Sequence, residues 1–378
     1  MKYSIRYILV FCICFLVCSK IFSQVLVDKE ATSETKALFL NLKKIQEENK
    51  ILFGQHDATL YGHSWKGDND RSDAKDITGS HPALLGLDYM DLTTTDTDRY
   101  ETAKLQLINA VKSTYKNGGV VTFCWHMSNP ANDGSFYWEQ NPVNAVSDIL
   151  PNGTLHEKYK SYLNIAAEVT KEFRGKNGEL IPVIFRPFHE FDGDWFWWGK
   201  GHCTREEFID LWKFTVEYMR DSLQIHNFLY AFSPDCKFNT KEEYLDYYPG
   251  DEYVDILGFD DYWDFRPDGN NNPALAEQKL KIVSDIALSK GKIAAITETG
   301  LEGVTQTDWF TKTLFPILQR NKLAYVMLWR NAHDMPHHHY VPYKGHAAED
   351  DFVKFYKNEN IIFENNIPDM YHFKYNGQ

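Results

Sequence analysis

The chain has 378 residues, of which 43% are hydrophobic and 25% are charged, as in ordinary globular proteins. These fractions exclude disorder, collagen-like repeats and coiled coil as the main state. The formal charge of −13 disfavours a nucleic-acid partner, because binding a polyanion requires a basic surface. Aromatic residues make up 15% of the chain, which suits a neutral ligand that stacks on rings.

The first 23 residues have the pattern of an export signal. Lys2 and Arg6 give a positive start, and residues 7–17 form an apolar run that is too short to span a membrane as a stable helix. We therefore predict a signal peptide over residues 1–23, cleaved after Ser23. The protein is then expected to be exported, either periplasmic or secreted, with no membrane span.

Residues 24–378 would form the exported protein. A lipid anchor at Cys18 is the less favoured alternative, because Val17 is larger than the small residue usual before such a cysteine. The cysteines beyond the signal are Cys124, Cys203 and Cys236. An odd number allows at most one internal disulfide, and neither a Cys-x-x-Cys pair nor a zinc-type Cys/His spacing occurs in the sequence.

Eight short apolar, β-rich runs follow, and each ends in polar or aromatic residues. Continuous runs of this kind are typical of parallel strands that are covered on both faces. The runs are 51–56, 82–90, 120–126, 182–190, 227–235, 254–263, 292–300 and 323–332. Stretches with helical spacing lie between them, at 101–116, 155–173, 205–222, 274–289, 309–320 and 349–356.

The alternation of strands and helices predicts an α/β protein, a single (β/α)8 TIM barrel. A doubly wound sheet is the alternative, but no glycine-rich phosphate loop follows the first run. Thr204 and Pro273 are expected to start helices. Residues 57–80 and 127–154 are long polar connections with aromatic residues, which we expect to line a site at the mouth of the barrel.

Two glutamates stand at strand ends, where barrel enzymes carry their reacting groups. Glu190 closes the fourth run and Glu298 lies near the end of the seventh. Strands four and seven face each other across a small barrel, so both side chains can reach one sugar ring. Cleavage of a glycosidic bond needs one carboxylic acid and one carboxylate, and a separation of about 5–5.5 Å implies retention of configuration. The alternative is that both are ordinary surface glutamates without a catalytic role.

Several motifs resemble glycoside hydrolase family 26, over roughly residues 35–358. The more specific signal is RPFHE together with the glutamate of the seventh strand, whereas FGQH alone would be weak. The motifs are FGQH at 53–56, LLGLDYMDL at 84–92, RPFHE at 186–190 with Trp195 beyond it, GFDDYW at 258–263, ITETG at 296–300 and MLWRN at 327–331.

The resemblance implies a retaining β-1,4-mannanase that acts on mannan, galactomannan or glucomannan with no cofactor and no metal. Glu190 would be the general acid/base and Glu298 the nucleophile. His189 would hydrogen-bond in the −1 region, and His126 would contact substrate near the cleavage point. A β-glucanase or β-1,3-xylanase of the same barrel type remains an alternative. A non-catalytic glycan-binding barrel is another, although the presence of both glutamates argues against it.

The resemblance also places residues around these two glutamates. Arg186 would orient the nucleophile and hold it electrostatically, and Tyr262 would donate a hydrogen bond to it. Trp329 would form the platform beneath the −1 sugar, and Trp195 would stack near the leaving side. Sugars have an apolar C–H face and a polar rim, so tryptophan rings flanked by charged groups suit them.

Other chemistry-bearing residues have less specific patterns. Trp197 and Trp198 either bind sugar from an exposed loop or pack to hold that loop. Asp260 and Asp261 are expected to position the following tyrosine or contact a sugar. Histidines crowd residues 333–346, but neighbours in a polar loop point in different directions, so we predict no metal site there. No calcium-loop pattern supports Ca²⁺ binding by Asp88, Asp91 and Asp133.

Overall fold

The computed structural model describes residues 26–373, so the predicted signal peptide of residues 1–23 lies outside the described residues. Eight parallel strands pair in chain order, and β8 pairs with both β7 and β1 to close a barrel. The predicted (β/α)8 barrel is confirmed. The strands are β1 Ile51–His56, β2 Leu84–Asp88, β3 Val120–Cys124, β4 Val183–Arg186, β5 Phe228–Phe232, β6 Ile256–Leu257, β7 Ile293–Thr299 and β8 Tyr325–Leu328.

Most α-helices lie between consecutive strands, whereas the first precedes β1 and the last follows β8. In the described part of the chain they are α1 Ser33–Glu47, α2 Asp73–Thr78, α3 Thr97–Lys116, α4 Val146–Ile149, α5 His156–Lys171, α6 Arg205–Glu217, α7 Lys241–Tyr244, α8 Pro273–Lys290, α9 Phe315–Gln319 and α10 Glu349–Tyr356. Thr204 caps α6 through reciprocal bonds with Glu207, and Pro273 is the first residue of α8. Both predicted helix starts are confirmed, as the capping chemistry requires.

The strands are buried on both faces, which explains their apolar runs. Residues of one parity point into the barrel, as Leu52, Ile184 and Leu229 do, and pack together there. Residues of the other parity, including Phe53 and Phe185, pack against the surrounding helices. Complete burial of one such side chain contributes about 1.5–3 kcal/mol. Because side chains alternate along a strand, the inward parity of β4 continues from residue 184 to residue 186 at its carboxyl end.

Several elements differ from the sequence prediction. The sixth run is interrupted, because β6 stops at Leu257 and a separate short strand, Asp260–Asp261, pairs with the end of β7. Residues 57–80 contain a hairpin and α2, and 127–154 contain α4. α1 was not predicted.

The three cysteines expected in the exported protein are free thiols, so none of them forms the disulfide that the odd count allowed. Cys124 and Cys236 are buried, and Cys203 is partly exposed. Within residues 26–373, no helix is long and apolar enough to cross a bilayer.

Candidate active site

A buried arginine organises the carboxyl ends of β4 and β7. The side chain of Arg186 points into the barrel, and its Nη1 lies 2.5 Å from Asp260 Oδ2 while its Nη2 donates to Glu298 Oε2. The other oxygen of Asp260 accepts hydrogen bonds from Ser233 at 2.7 Å and Thr297 at 2.8 Å. A buried guanidinium is stable only with such partners. Burial lowers the pKa of Arg186, but its two carboxylate partners outweigh burial and raise it well above its usual value.

Glu298 is held at both carboxylate oxygens. Oε2 accepts from Arg186, and Oε1 accepts from the Tyr262 hydroxyl at 2.7 Å. Burial and the neighbouring Glu298 raise the pKa of Tyr262 well above its usual value, so the phenol keeps the proton that it donates. Two fixed donors suit an ionised carboxylate. Its side chain is 7% exposed and stands at the open end of the barrel.

Glu190 has a different environment. It follows β4 in a turn in which Phe188 and Glu190 adopt left-handed φ angles of 49° and 54°. Its Oε2 accepts a hydrogen bond from Trp195 Nε1 at 2.7 Å, and its backbone N–H donates to Ser233 O at 2.8 Å. Burial raises the pKa of Glu190 well above its usual value, and the negative charges of Asp260 and Glu298 add to the shift. The surroundings therefore favour a protonated Glu190.

The three carboxyl groups meet at the mouth of the barrel. One oxygen from each of Glu190, Asp260 and Glu298 lies within 4.8 Å of the other two. Oxygens this close are nearer to the carboxyl separation of about 5–5.5 Å in retaining glycosidases than to the about 6.5–9.5 Å of inverting ones. The three oxygens could also hold a cation, but Arg186 already neutralises two of these groups.

A second cluster at the strand ends consists of one carboxylate and three aromatic rings, from Asp88, His126, His189 and Trp329. His126 Nδ1 lies 2.6 Å from Asp88 Oδ2, and its Nε2 lies 3.2 Å from His189 Nε2. Burial and the charge of Arg186 lower the pKa of His189 well below its usual value, so this ring is neutral. The ring of Trp329 is partly exposed, and its centroid lies 6.0 Å from that of His126.

A cleft of about 700 Å³ opens beside Glu190. Its walls include the partly exposed ring of Trp195, the Tyr262 ring and the exposed ring of Trp263. Lys237 places its ammonium 4.5 Å from the Trp195 ring centre, a cation–π contact. The cleft thus combines aromatic faces with polar groups. Carbohydrates bind to such surfaces.

The eight residues expected at the site come together at the carboxyl ends of the strands. Trp197 and Trp198, by contrast, are fully buried, and their indole N–H groups donate to the backbone oxygens of Met127 and His189. They hold the loop in place, which is the packing alternative that the sequence left open for these two. Their packing also fixes the backbone next to Glu190.

The two aspartates of the sixth run are fully buried. Asp260 pairs with Arg186, and Asp261 accepts a hydrogen bond from the backbone N–H of Asp264 at 3.1 Å. Neither side chain is exposed, so of the two expected roles, direct contact with a sugar is wrong. Ser233 and Thr297, which hold Asp260, were not predicted as site residues. In the sequence, the only indication of a role for them is that each lies near the end of an apolar run.

The histidines of residues 333–346 have different partners, although the rings of His339 and His346 lie 5.1 Å apart. His338 pairs with Glu302 at 2.7 Å, and His339 Nδ1 donates to Pro336 O at 2.9 Å. Among residues 26–373, three groups of ligand-type side chains converge within 4.8 Å, and none includes a histidine of this loop. Asp88 pairs with a histidine, and Asp133 with Lys158, instead of joining a common oxygen cage.

Related sequences agree with this architecture. A sequence model of glycosyl hydrolase family 26 matches residues 27–337. A mannan endo-1,4-β-mannosidase from Bifidobacterium adolescentis is 34% identical over 361 residues, which cover 89% of this chain. The chain spans 35% of the length of that relative. Another mannan endo-1,4-β-mannosidase, from Bacillus subtilis, is 27% identical over 241 residues and is covered over 64% of its length.

Solved structures show the same fold. GH26C from a Muricauda species is 39% identical, with a TM-score of 0.88, and the match covers 95% of this chain and 98% of that one. A GH26 β-mannanase from Bacteroides ovatus is 36% identical, with a TM-score of 0.85, covering 92% and 99% of the two chains. The barrel, the paired glutamates at its mouth and these matches lead to one conclusion: the chain belongs to glycosyl hydrolase family 26.

Proposed function

We propose that this chain is a retaining β-1,4-mannanase that hydrolyses mannan, galactomannan or glucomannan. The observation that carries the proposal is the close approach of two carboxyl groups with contrasting surroundings, Glu190 and Glu298. Oxygens within 4.8 Å support a covalent, double-displacement route. The substrate class is supported by the names of the relatives described above. The reaction uses side chains of this chain and one water molecule.

In the first step Glu298 is the nucleophile. Arg186 and Tyr262 hold its carboxylate in one orientation, and an oxygen of that carboxylate attacks the anomeric carbon. The new bond joins Glu298 to the sugar, while the glycosidic bond breaks and its electron pair goes to the leaving oxygen. Glu190 gives its proton to that oxygen. The raised pKa of Glu190 favours the protonated form that this step needs.

In the second step Glu190 acts as a general base instead of a general acid. Glu298 is now an ester without negative charge, so one cause of the raised pKa of Glu190 has disappeared and that pKa falls. Glu190 can then take a proton from a water molecule, whose oxygen attacks the anomeric carbon and releases the Glu298 carboxylate. Two displacements at one carbon return the original configuration.

The remaining residues bind and orient the sugar in this proposal. Trp329 offers its partly exposed ring as the platform beneath the −1 sugar. Trp195 stacks on the leaving side and also donates to Glu190. His126 and His189 point polar ring edges toward the same space, and Asp88 fixes the orientation of the first of them. Rings and hydrogen-bonding groups together suit a pyranose with one apolar face.

The test is hydrolysis of β-mannan, glucomannan, galactomannan, mixed-linkage β-glucan and β-1,3-xylan under one set of conditions. We expect reducing ends to appear with the mannans, and the product first seen by proton NMR to be the β-anomer. Release from the glucan or the xylan alone would assign the chain to another substrate class. Formation of the α-anomer first would reject the double-displacement route.

A further inference from the structure

A separate group of ligand-type side chains lies at the ends of three neighbouring strands. His56, Asp88 and Cys124 are the last residues of β1, β2 and β3, and His126 follows shortly after. One ligand atom each of Asp88, Cys124 and His126 lies within 4.8 Å of the other two. We propose that these three side chains, completed by a movement of His56, which contacts the thiol but lies outside that group of three, bind a thiophilic divalent cation, such as Zn²⁺ or Cd²⁺, and that its binding inhibits the enzyme.

The spacing around the thiol fits a tetrahedral ion. Cys124 Sγ lies 3.4 Å from His56 Nε2 and 3.8 Å from His126 Nδ1. Zinc lies about 2.3 Å from sulfur and about 2.0–2.1 Å from imidazole nitrogen, which places two such ligand atoms about 3.5 Å apart in a tetrahedron. The thiol gives up only a long contact of 3.7 Å to Leu87 O when it turns toward the ion.

His56 is oriented in the way that metal-binding histidines usually are. Its Nδ1 lies 3.0 Å from Asp57 Oδ2 as an ion-pair contact, and this carboxylate accepts a hydrogen bond from Tyr61. The other ring nitrogen, Nε2, therefore faces Cys124. A carboxylate behind a ligating imidazole fixes the ring and increases its basicity. The Asp57–His56 pair supports the site independently of the thiol.

Inhibition follows from the Asp88–His126 pair. These atoms are 2.6 Å apart, whereas an oxygen and a nitrogen ligand of one tetrahedral zinc ion are about 3.4 Å apart. Binding must therefore lengthen this contact and turn the His126 ring, which also lies 3.2 Å from His189. The side chains of His126 and Asp88 are 11% and 14% exposed, so an ion can reach them from solvent.

The carboxylates of Glu190, Asp260 and Glu298 form a competing group with oxygen ligands only. Hard cations such as Mg²⁺ and Ca²⁺ prefer oxygen, and thiolate and imidazole select zinc-like ions. Arg186 already pairs with two of these three carboxylates. The identity of the inhibitory cation therefore distinguishes the two groups.

The direct test is titration of the whole protein with Co²⁺, which absorbs in the near ultraviolet when a thiolate binds it. We expect such a band in the wild type, its loss in Cys124→Ser, and its retention in the matched variant Cys203→Ser. Asp57→Asn should weaken Co²⁺ binding by about 10–100-fold while the band remains. Absence of the band in the wild type, or an unchanged band in Cys124→Ser, would overturn the proposal.

The second test measures inhibition and rests on the proposed function, whereas the cobalt band does not. Zn²⁺ and Cd²⁺ should inhibit mannan hydrolysis, and Mg²⁺ should not. Each variant is compared with its own metal-free rate, and Cys124→Ser should raise the half-inhibitory Zn²⁺ concentration at least about tenfold. Equal sensitivity of Cys124→Ser and Cys203→Ser would contradict the site even in an active mannanase.

Discussion

Glu298 and Glu190 lie on opposite sides of the same opening, with oxygens within 4.8 Å, yet their surroundings have little in common. Glu298 accepts hydrogen bonds from the cation Arg186 and the phenol of Tyr262. Glu190 accepts from the neutral indole of Trp195, and burial together with the negative groups that it faces raises its pKa. The comparison teaches that neighbouring donors and charges, rather than side-chain type, separate an acid from a nucleophile.

Glu298→Ala should have the largest effect. Loss of the nucleophile removes the covalent route, and kcat on mannan should fall on the order of 10⁴-fold or more. Azide should restore part of the turnover and give a glycosyl azide of inverted configuration, because a small anion fits the space left by the carboxylate. The matched control is Glu168→Ala on the exposed face of α5, which should keep wild-type rates. An active Glu298→Ala enzyme would remove Glu298 from the chemistry.

Glu190→Ala should have an effect that depends on the leaving group. Mannan hydrolysis should fall about 10²–10⁴-fold, because the sugar oxygen must be protonated as it departs. An aryl mannoside with a good leaving group needs no proton in the first step, so its cleavage should suffer far less. Pre-steady-state kinetics on both substrates would measure the difference. Equal losses would show that Glu190 has another role.

Tyr262→Phe removes one donor from Glu298 and leaves Arg186 in place. We expect kcat on mannan to fall about 10–100-fold, because a hydrogen bond to a charged group is worth about 1.5–3 kcal/mol. The ratio of mannan to aryl-mannoside activity should change little. If Tyr262→Phe showed the leaving-group dependence expected of Glu190→Ala, the surroundings of Glu298 and of Glu190 would not act separately.

Trp195→Phe should have the smallest effect on rate and a characteristic effect on pH dependence. Loss of one neutral donor should lower kcat/KM about tenfold. The indole N–H stabilises the charged form of Glu190, so its removal raises the pKa of Glu190 further. Activity is lost as pH rises through that pKa, and the alkaline limb should therefore move to higher pH. A shift to lower pH would contradict the assignment of Glu190 as the acid.

Much of the fold could be predicted because the strands are buried on both faces and appear as apolar runs. The break after Leu257 could not, since Asp260 and Asp261 continue an apparently unbroken run while pairing separately with β7. The helix α1 was also missed. The exact ends of strands and helices depend on tertiary packing, and local sequence patterns do not contain that information.

The two glutamates could be predicted from their positions at strand ends together with the motif resemblance. Their environments could not. The Arg186–Asp260 pair joins residues 74 positions apart, and only the closed barrel brings them to 2.5 Å. The burial of Trp197 was equally hidden, because an aromatic residue in a loop can face solvent or the core. Three-dimensional neighbours, not residue types, decided both cases.

The left-handed turn at Phe188 and Glu190 also bears on attempts to make the protein more heat-resistant. A non-glycine residue in this region costs on the order of 1–3 kcal/mol. Glycine at position 188 would relieve that cost, but it would remove a buried ring that packs near Trp198 and Trp212, and truncation of a buried phenylalanine costs about 3–5 kcal/mol. The loss therefore exceeds the gain. Engineering for thermal tolerance should therefore leave this turn alone and concentrate on surface helices remote from the cleft.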